Sequence, residues 1–217
     1  MTIEQNIASI KAALPADVKL VAVSKTFPAA DISAAYGCGQ RAFGENRTQE
    51  LKAKHEELPE DIEWHFIGSL QTNKIKYIAP YVSLIHSVDS ARLLEAIDTQ
   101  AAKCGRTIDV LFEFHAACET TKHGWSEEEL LMYAEGGEAL KYSNVRIRGL
   151  MTMASFTDDT AIIRDEFRRT RRLFERLGHT FGDSFDTLSM GMSGDYHIAV
   201  DEGSTLVRIG SSIFGNR

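Results

Sequence analysis

Eight short apolar runs alternate with longer amphipathic stretches along the whole chain, and nothing else in the sequence constrains the fold as tightly. The runs lie at residues 19–24, 41–44, 63–68, 82–87, 107–114, 146–152, 187–191 and 206–210. Each is short, apolar and bounded by turn residues, as expected of buried strands. The stretches between them carry helical spacing. Residues 91–102 place Leu93, Leu94, Ile97 and Ala101 on one stripe, and residues 160–177 do the same with Ile163, Phe167, Phe174 and Leu177. A first helix is expected near residues 3–14. Ser126 followed by Glu129 predicts a capping box, Pro28 opens a helix, and Pro80 and the Gly136-Gly137 pair mark other ends.

Successive strand–helix units form parallel sheets with right-handed crossovers. Two closures suit this order: a doubly wound open sheet and a (β/α)8 barrel. A count of eight strands favours the barrel, although 217 residues is near the lower size for one. No linker, composition break or low-complexity segment interrupts the pattern, so a single domain over residues 1–217 is expected.

Charge and cysteine usage exclude several classes of partner. A net charge of −7 argues against nucleic acid as a primary ligand. The basic cluster Arg168, Arg169, Arg171 and Arg172 shares its helix with Asp165, Glu166 and Glu175 and reads as a solvated face. Cys38, Cys104 and Cys118 are odd in number and widely spaced, which fits reduced thiols and a cytoplasmic setting. No run approaches membrane-spanning length, no secretory leader is visible, and the histidines lack metal-ligand spacing.

A barrel directs attention to the C-terminal ends of its strands, where active sites form. Lys25 stands at the end of the first run. A lysine there either escapes to solvent past the strand end or is pushed toward neutrality and becomes a nucleophile for an aldehyde or ketone. The loops after strands seven and eight are the usual phosphate sites of barrels. Here they hold Ser193 and Gly194, then Gly210 and Ser211. Glycine admits close approach of the backbone, and serine adds a donor. Strand eight closes onto strand one, so Lys25 would be adjacent. A lysine imine beside a phosphate cradle fits pyridoxal phosphate or a sugar-phosphate Schiff base, and the residues alone leave both open.

Other strand-end residues are less decisive. Asn46 could reach the mouth or cap the following helix. His65 could point inward, although a core histidine bonded to backbone is the commoner case. Met151 and Met153 read as packing. Arg208, two residues before Gly210, should share its face and needs an acceptor, either a carboxylate or a pyridine nitrogen.

Seven segments together carry a family resemblance: LVAVSKT (20–26), FGENRTQE (43–50), HFIGSLQTNKIK (65–76), IHSVD (85–89), GLMTM (149–153), LSMGMSGD (188–195) and GSTLVRIGSSIFG (203–215). In this order the chain resembles the pyridoxal phosphate homeostasis proteins, also called proline synthase co-transcribed or alanine racemase N-terminal-domain-like proteins. The resemblance implies one (β/α)8 barrel binding pyridoxal 5'-phosphate as an internal aldimine. It implies that Lys25 forms the Schiff base, that Ser193, Gly194, Gly210 and Ser211 hold the phosphate, that Arg208 faces the pyridine nitrogen, and that Asn46 lies close to the cofactor. It further implies a role in vitamin B6 homeostasis and amino- and keto-acid balance without assigned turnover.

The chain departs from the family in the fifth-strand segment. His115 stands where a smaller polar residue is common, while Glu119, Lys122 and Gly124 keep the family's spacing. The alanine racemases have a similar barrel but take a second base from a C-terminal β-domain, which is not expected here, so the remaining acid/base would be Lys25 itself. A monomeric carrier that meets apo-enzymes transiently is the expectation. A weak racemase or lyase, or an aldolase acting on a sugar phosphate, are the alternatives.

Overall fold

Every one of the eight apolar runs is a strand in the computed structural model, which describes residues 2–117 and 124–215. The strands are β1 (Lys19–Val23), β2 (Ala42–Glu45), β3 (Glu63–Phe66), β4 (Leu84–Val88), β5 (Ile108–Glu113), β6 (Val145–Met151), β7 (Thr187–Ser189) and β8 (Leu206–Ile209). Each pairs in parallel with its sequence neighbours, and β8 pairs with β1 to close the barrel. In that closure Val21 stands opposite Arg208 and Ala22 opposite Ile209. The strands end earlier than the apolar runs at Ser24, Gly68, Gly191 and Gly210, and these residues form the loops at the mouth.

The helices form where the periodicity places them. The first, Ile3–Ala13, opens on a capping box made by Thr2 and Gln5. Ala91–Lys103 buries Leu93, Leu94, Ile97 and Ala101. Ser126 and Glu129 make the expected capping box at the head of Glu127–Glu135, satisfying N–H groups that the helix itself leaves open. Among the described residues no helix is long and apolar enough to cross a membrane. Cys38 and Cys104 are free and exposed, and Cys118 lies outside the described residues.

Alternation along the strands separates two cores. Phe43, Trp64, Phe66 and Phe112 face outward and pack with helix residues such as Ile32, Leu94 and Phe167. Burial of each large side chain there contributes about 2 kcal/mol. Inside the barrel, Val21, Ala42, Leu84, Leu111, Met151 and Leu206 form a separate apolar plug. Strands β6 and β7 approach very closely at Gly149, where a Cβ would lie 1.7 Å from the Thr187 carbonyl oxygen.

The basic helix face is more engaged than its composition suggests. Arg168 pairs with Glu202, and Arg171 pairs with Glu175 and donates to the Gly203 carbonyl. The bonds to Glu202 and Gly203 tether Thr160–Phe181 to the segment before β8.

Candidate functional site

Lys25, Ser193, Gly194, Arg208, Gly210 and Ser211 all line one cavity of about 570 Å³ at the C-terminal ends of the strands. Barrel closure brings these distant segments together, because β8 lies against β1. Arg208 points inward from β8, above the apolar plug. The loops carrying Ser193 and Ser211 follow β7 and β8.

Lys25 occupies a β-turn just past the end of β1. The Ser24 N–H donates to the Gly44 carbonyl at 3.0 Å, and the Phe27 N–H closes the turn on the Ser24 carbonyl at 3.0 Å. Lys25 and Thr26 are its central residues. Thr26 has φ +69°, and among the described residues it is the only non-glycine residue with positive φ. That backbone region normally calls for glycine or asparagine.

Ser193 joins the two glycine-serine loops. Its Oγ accepts from the Gly210 N–H at 3.3 Å and from the Ser212 N–H at 3.4 Å. Among the described residues the amides of Ser193, Gly194 and Ser211 have no hydrogen-bond acceptor. A Cβ built on Gly194 would meet nothing within 4 Å, whereas one on Gly210 would crowd the Val23 carbonyl at 3.2 Å. Open amides, hydroxyls and backbone free of side-chain cover are what a phosphate needs. The residues present therefore fit a phosphorylated aldehyde: donors for the phosphate and an amine within one cavity.

Arg208 is buried and, among the described residues, has no carboxylate partner. Its Nη1 donates to the Ser189 carbonyl at 2.8 Å and to Ser189 Oγ at 2.5 Å, and its Nη2 donates to the Thr152 carbonyl at 2.8 Å. Burial pulls its pKa down to about 10, opposed by the charges of Asp195 and Glu113. It remains a cation at neutral pH. Ser189 in turn faces His86 Nδ1 at 3.0 Å, and His86 Nε2 faces His65 Nδ1 at 2.9 Å. Burial holds both imidazoles neutral, His65 with a pKa of about 3 and His86 well below the ordinary value.

Three residues depart from their sequence reading. His65 does point inward, but its partner is the His86 ring rather than backbone. Asn46 does not cap a helix: Arg47 is the N-cap of Thr48–Glu57, with no side-chain cap bond. Among the described residues the Asn46 Oδ1 is instead buried without a hydrogen-bond partner, although Asn46 is not among the residues lining the cavity. Met153 is 47% exposed and lines the cavity rather than packing in the core. Beside the cavity a second lobe of about 460 Å³ shares Met153, Met192 and Gly194 with it and is walled by Glu113 and His115. Glu119 and Lys122 lie outside the described residues.

Sequence reasoning missed two groups. One is the pair His86 and Ser189 beneath Arg208. The other is a triad behind the Lys25 turn, the buried Glu45 and Lys54 with the half-buried Glu50. A signal for the triad was present: a glutamate inside an apolar strand demands a cation, and Glu50 and Lys54 stand four apart on the next helix.

A closed eight-stranded barrel with a lysine after the first strand and a glycine-serine cradle after the last two defines the class of alanine racemase-like barrels. The family described as "Alanine racemase, N-terminal domain" matches residues 1–217. A pyridoxal phosphate homeostasis protein of Aquifex aeolicus is 42% identical over 200 residues, spanning 92% of this chain and 87% of its own. PipY of Synechococcus elongatus PCC7942 is 38% identical and superposes with a TM-score of 0.92 in its structure without PLP, over 99% of this chain and 100% of PipY. Its structure with PLP bound superposes at 0.89 with the same identity and coverage. The chain belongs to the alanine racemase N-terminal domain family and, within it, to the pyridoxal phosphate homeostasis proteins.

Proposed function

We propose that this protein binds pyridoxal 5'-phosphate reversibly through Lys25 and serves the cell's supply of that cofactor. The observation that carries the reading is the shared cavity: Lys25, the one lysine at its wall among the described residues, and the paired loops after β7 and β8 line the same space. The relatives' name and the PLP-bound relative support the choice of ligand. When bound, the cofactor supplies an aldehyde that condenses with the Lys25 amine, a C=N bond replacing C=O as water leaves.

Each residue has a defined task in this reading. Ser193, Gly194 and Ser211 receive the phosphate through hydroxyl and amide donors, and Gly210, whose N–H is held by Ser193 Oγ, keeps the loop beside it free of a side chain. Ser193 also holds the two loops at a fixed separation. Arg208 presents a cationic donor to the pyridine nitrogen, which keeps that nitrogen an acceptor and unprotonated. Carbanion chemistry is favoured by a protonated ring, so Arg208 suits holding over turnover. Asn46, outside the cavity lining, would stand behind the ring with an oxygen that is unpartnered among the described residues. Lys25 is the covalent hook and the proton carrier of capture and release. The protein acts as a cytoplasmic monomer and passes the cofactor to apo-enzymes in transient encounters.

Incubation with pyridoxal 5'-phosphate should produce an imine absorption band in the wild type and none in Lys25→Ala. Borohydride reduction followed by peptide mass mapping should place a pyridoxyl group on Lys25. A label on another lysine, or a sugar fragment on Lys25 of protein as purified, would overturn the reading.

A further inference from the structure

We infer that Glu45, Glu50 and Lys54 are positioning residues for Lys25, an assignment that rests on the Lys25 reading above. Lys54, on the helix Thr48–Glu57, is 6% exposed, and its ammonium has three acceptors. They are the Ser24 carbonyl at 2.9 Å, Glu45 Oε1 at 2.7 Å and Glu50 Oε1 at 2.8 Å. An ammonium has three N–H donors, so Lys54 is fully used. Glu45 Oε1 accepts a second bond, from Ser24 Oγ at 2.6 Å, and Glu50 Oε1 accepts from the Thr26 N–H at 2.5 Å. Among the described residues, every hydrogen bond that leaves these three side chains ends on Ser24 or Thr26. Those are the two neighbours of Lys25.

The triad lies outside the cavity. Glu45 shares its strand face with Phe43, which packs in the outer core, so it faces the helix and not the mouth. It can therefore act on the ligand only through the turn. Stability alone is a poor reason for its presence. A buried ion pair is often no more stabilising than apolar side chains of the same volume, and here Glu45 Oε2 is buried with no partner among the described residues. What the triad does accomplish is local. It grips the carbonyl and hydroxyl before Lys25 and the amide after it, across a residue held at φ +69°. Backbone strain of this kind persists only where the surroundings over-determine it. The turn is thereby fixed in the conformation that sends Lys25 into the cavity.

The test separates capture from binding. Pyridoxal 5'-phosphate reports the rate of imine formation by absorbance. Pyridoxine 5'-phosphate has an alcohol in place of the aldehyde, so calorimetry with it reports the phosphate and ring contacts alone. Lys54→Met should slow capture by about tenfold or more, since small displacements of a reacting group cost that much. Its affinity for pyridoxine 5'-phosphate should stay within about twofold, because the cradle belongs to other elements. Thr26→Gly added to Lys54→Met should recover most of the lost rate, because glycine takes positive φ without strain. Capture at the wild-type rate in Lys54→Met overturns the proposal. So does a parallel loss of capture and analogue binding that Thr26→Gly does not recover, which would mark the triad as a folding element only. Should Lys54→Met fail to fold, Glu50→Gln is the second variant: slowed capture with unchanged analogue binding supports the proposal, and wild-type capture overturns it. An imine band that survives in Lys25→Ala would instead overturn the Lys25 reading, and this proposal with it.

Discussion

Arg208 makes two hydrogen bonds to Ser189 from one nitrogen, at 2.8 Å to the carbonyl and 2.5 Å to Oγ. Because the hydroxyl oxygen accepts from Arg208, its own proton is directed to His86 Nδ1, 3.0 Å away. His86 must then carry its proton on Nε2 and donate to His65 Nδ1. One cation thus fixes the direction of a chain of bonds from β8 through β7 and β4 to β3. Ser189→Ala removes the middle of that chain and leaves buried donors and acceptors unmatched. It should cost about 1–3 kcal/mol in urea unfolding and weaken cofactor binding, because Arg208 loses an anchor. An unchanged unfolding midpoint would show that the chain contributes nothing to the fold.

The same pair of histidines predicts an acid limit. Both are held neutral by burial, His65 with a pKa of about 3. In the unfolded chain each titrates near 6.5. Below that pH the unfolded state takes up protons that the folded state refuses, so stability is full above about pH 6.5 and declines as pH falls toward 3. The slope should approach about 1.4 kcal/mol per pH unit for each histidine. Urea titrations at pH 7.5 and 5 should show this loss, and His86→Gln should reduce the difference between them. Equal stability at both pH values in the wild type would sink the argument.

The strands and the mouth were legible because they depend on local pattern. Short apolar runs gave all eight strands, and barrel geometry alone placed Lys25 beside the Ser193 and Ser211 loops. The polar chain beneath Arg208 was not legible, since His86 and Ser189 are 103 residues apart and meet only through closure. Lys54 was hidden differently. It sits on a helix with Lys52, Glu56 and Glu57 and reads as one more solvated charge, yet it is buried because the Ser24 turn covers it. The Asn46 role turned on a single residue's shift of the helix start, which sequence resolves poorly.

Gly68 and Asn46 give a steric prediction. A Cβ on Gly68 would lie 2.4 Å from the Asn46 carbonyl oxygen and 2.8 Å from its Cα and Cβ. The obstruction is backbone, so Gly68→Ala must displace Asn46 rather than turn a side chain aside. The expected cost is about 1–3 kcal/mol of stability. Cofactor affinity should fall with it, whereas Gly178→Ala, which meets nothing within 4 Å, should bind normally. Unchanged affinity in Gly68→Ala would remove Asn46 from the cofactor's surroundings.

Ser193 offers the sharpest test of the cradle. Its Oγ accepts from both the Gly210 and Ser212 amides, tying the loop after β7 to the loop after β8. In the proposed complex its hydroxyl also donates to the phosphate. Ser193→Ala loses that donor and lets the loops separate, so affinity for pyridoxal 5'-phosphate should fall about tenfold, the value of one to two hydrogen bonds. Binding of pyridoxal, which lacks the phosphate, should hardly change, and folding stability should drop by less than about 1 kcal/mol because the loops are surface structure. Inorganic phosphate should compete with the cofactor in the wild type and compete less well in the variant. Equal losses for pyridoxal and its phosphate would mean that Ser193 shapes the mouth as a whole and that the phosphate is held elsewhere.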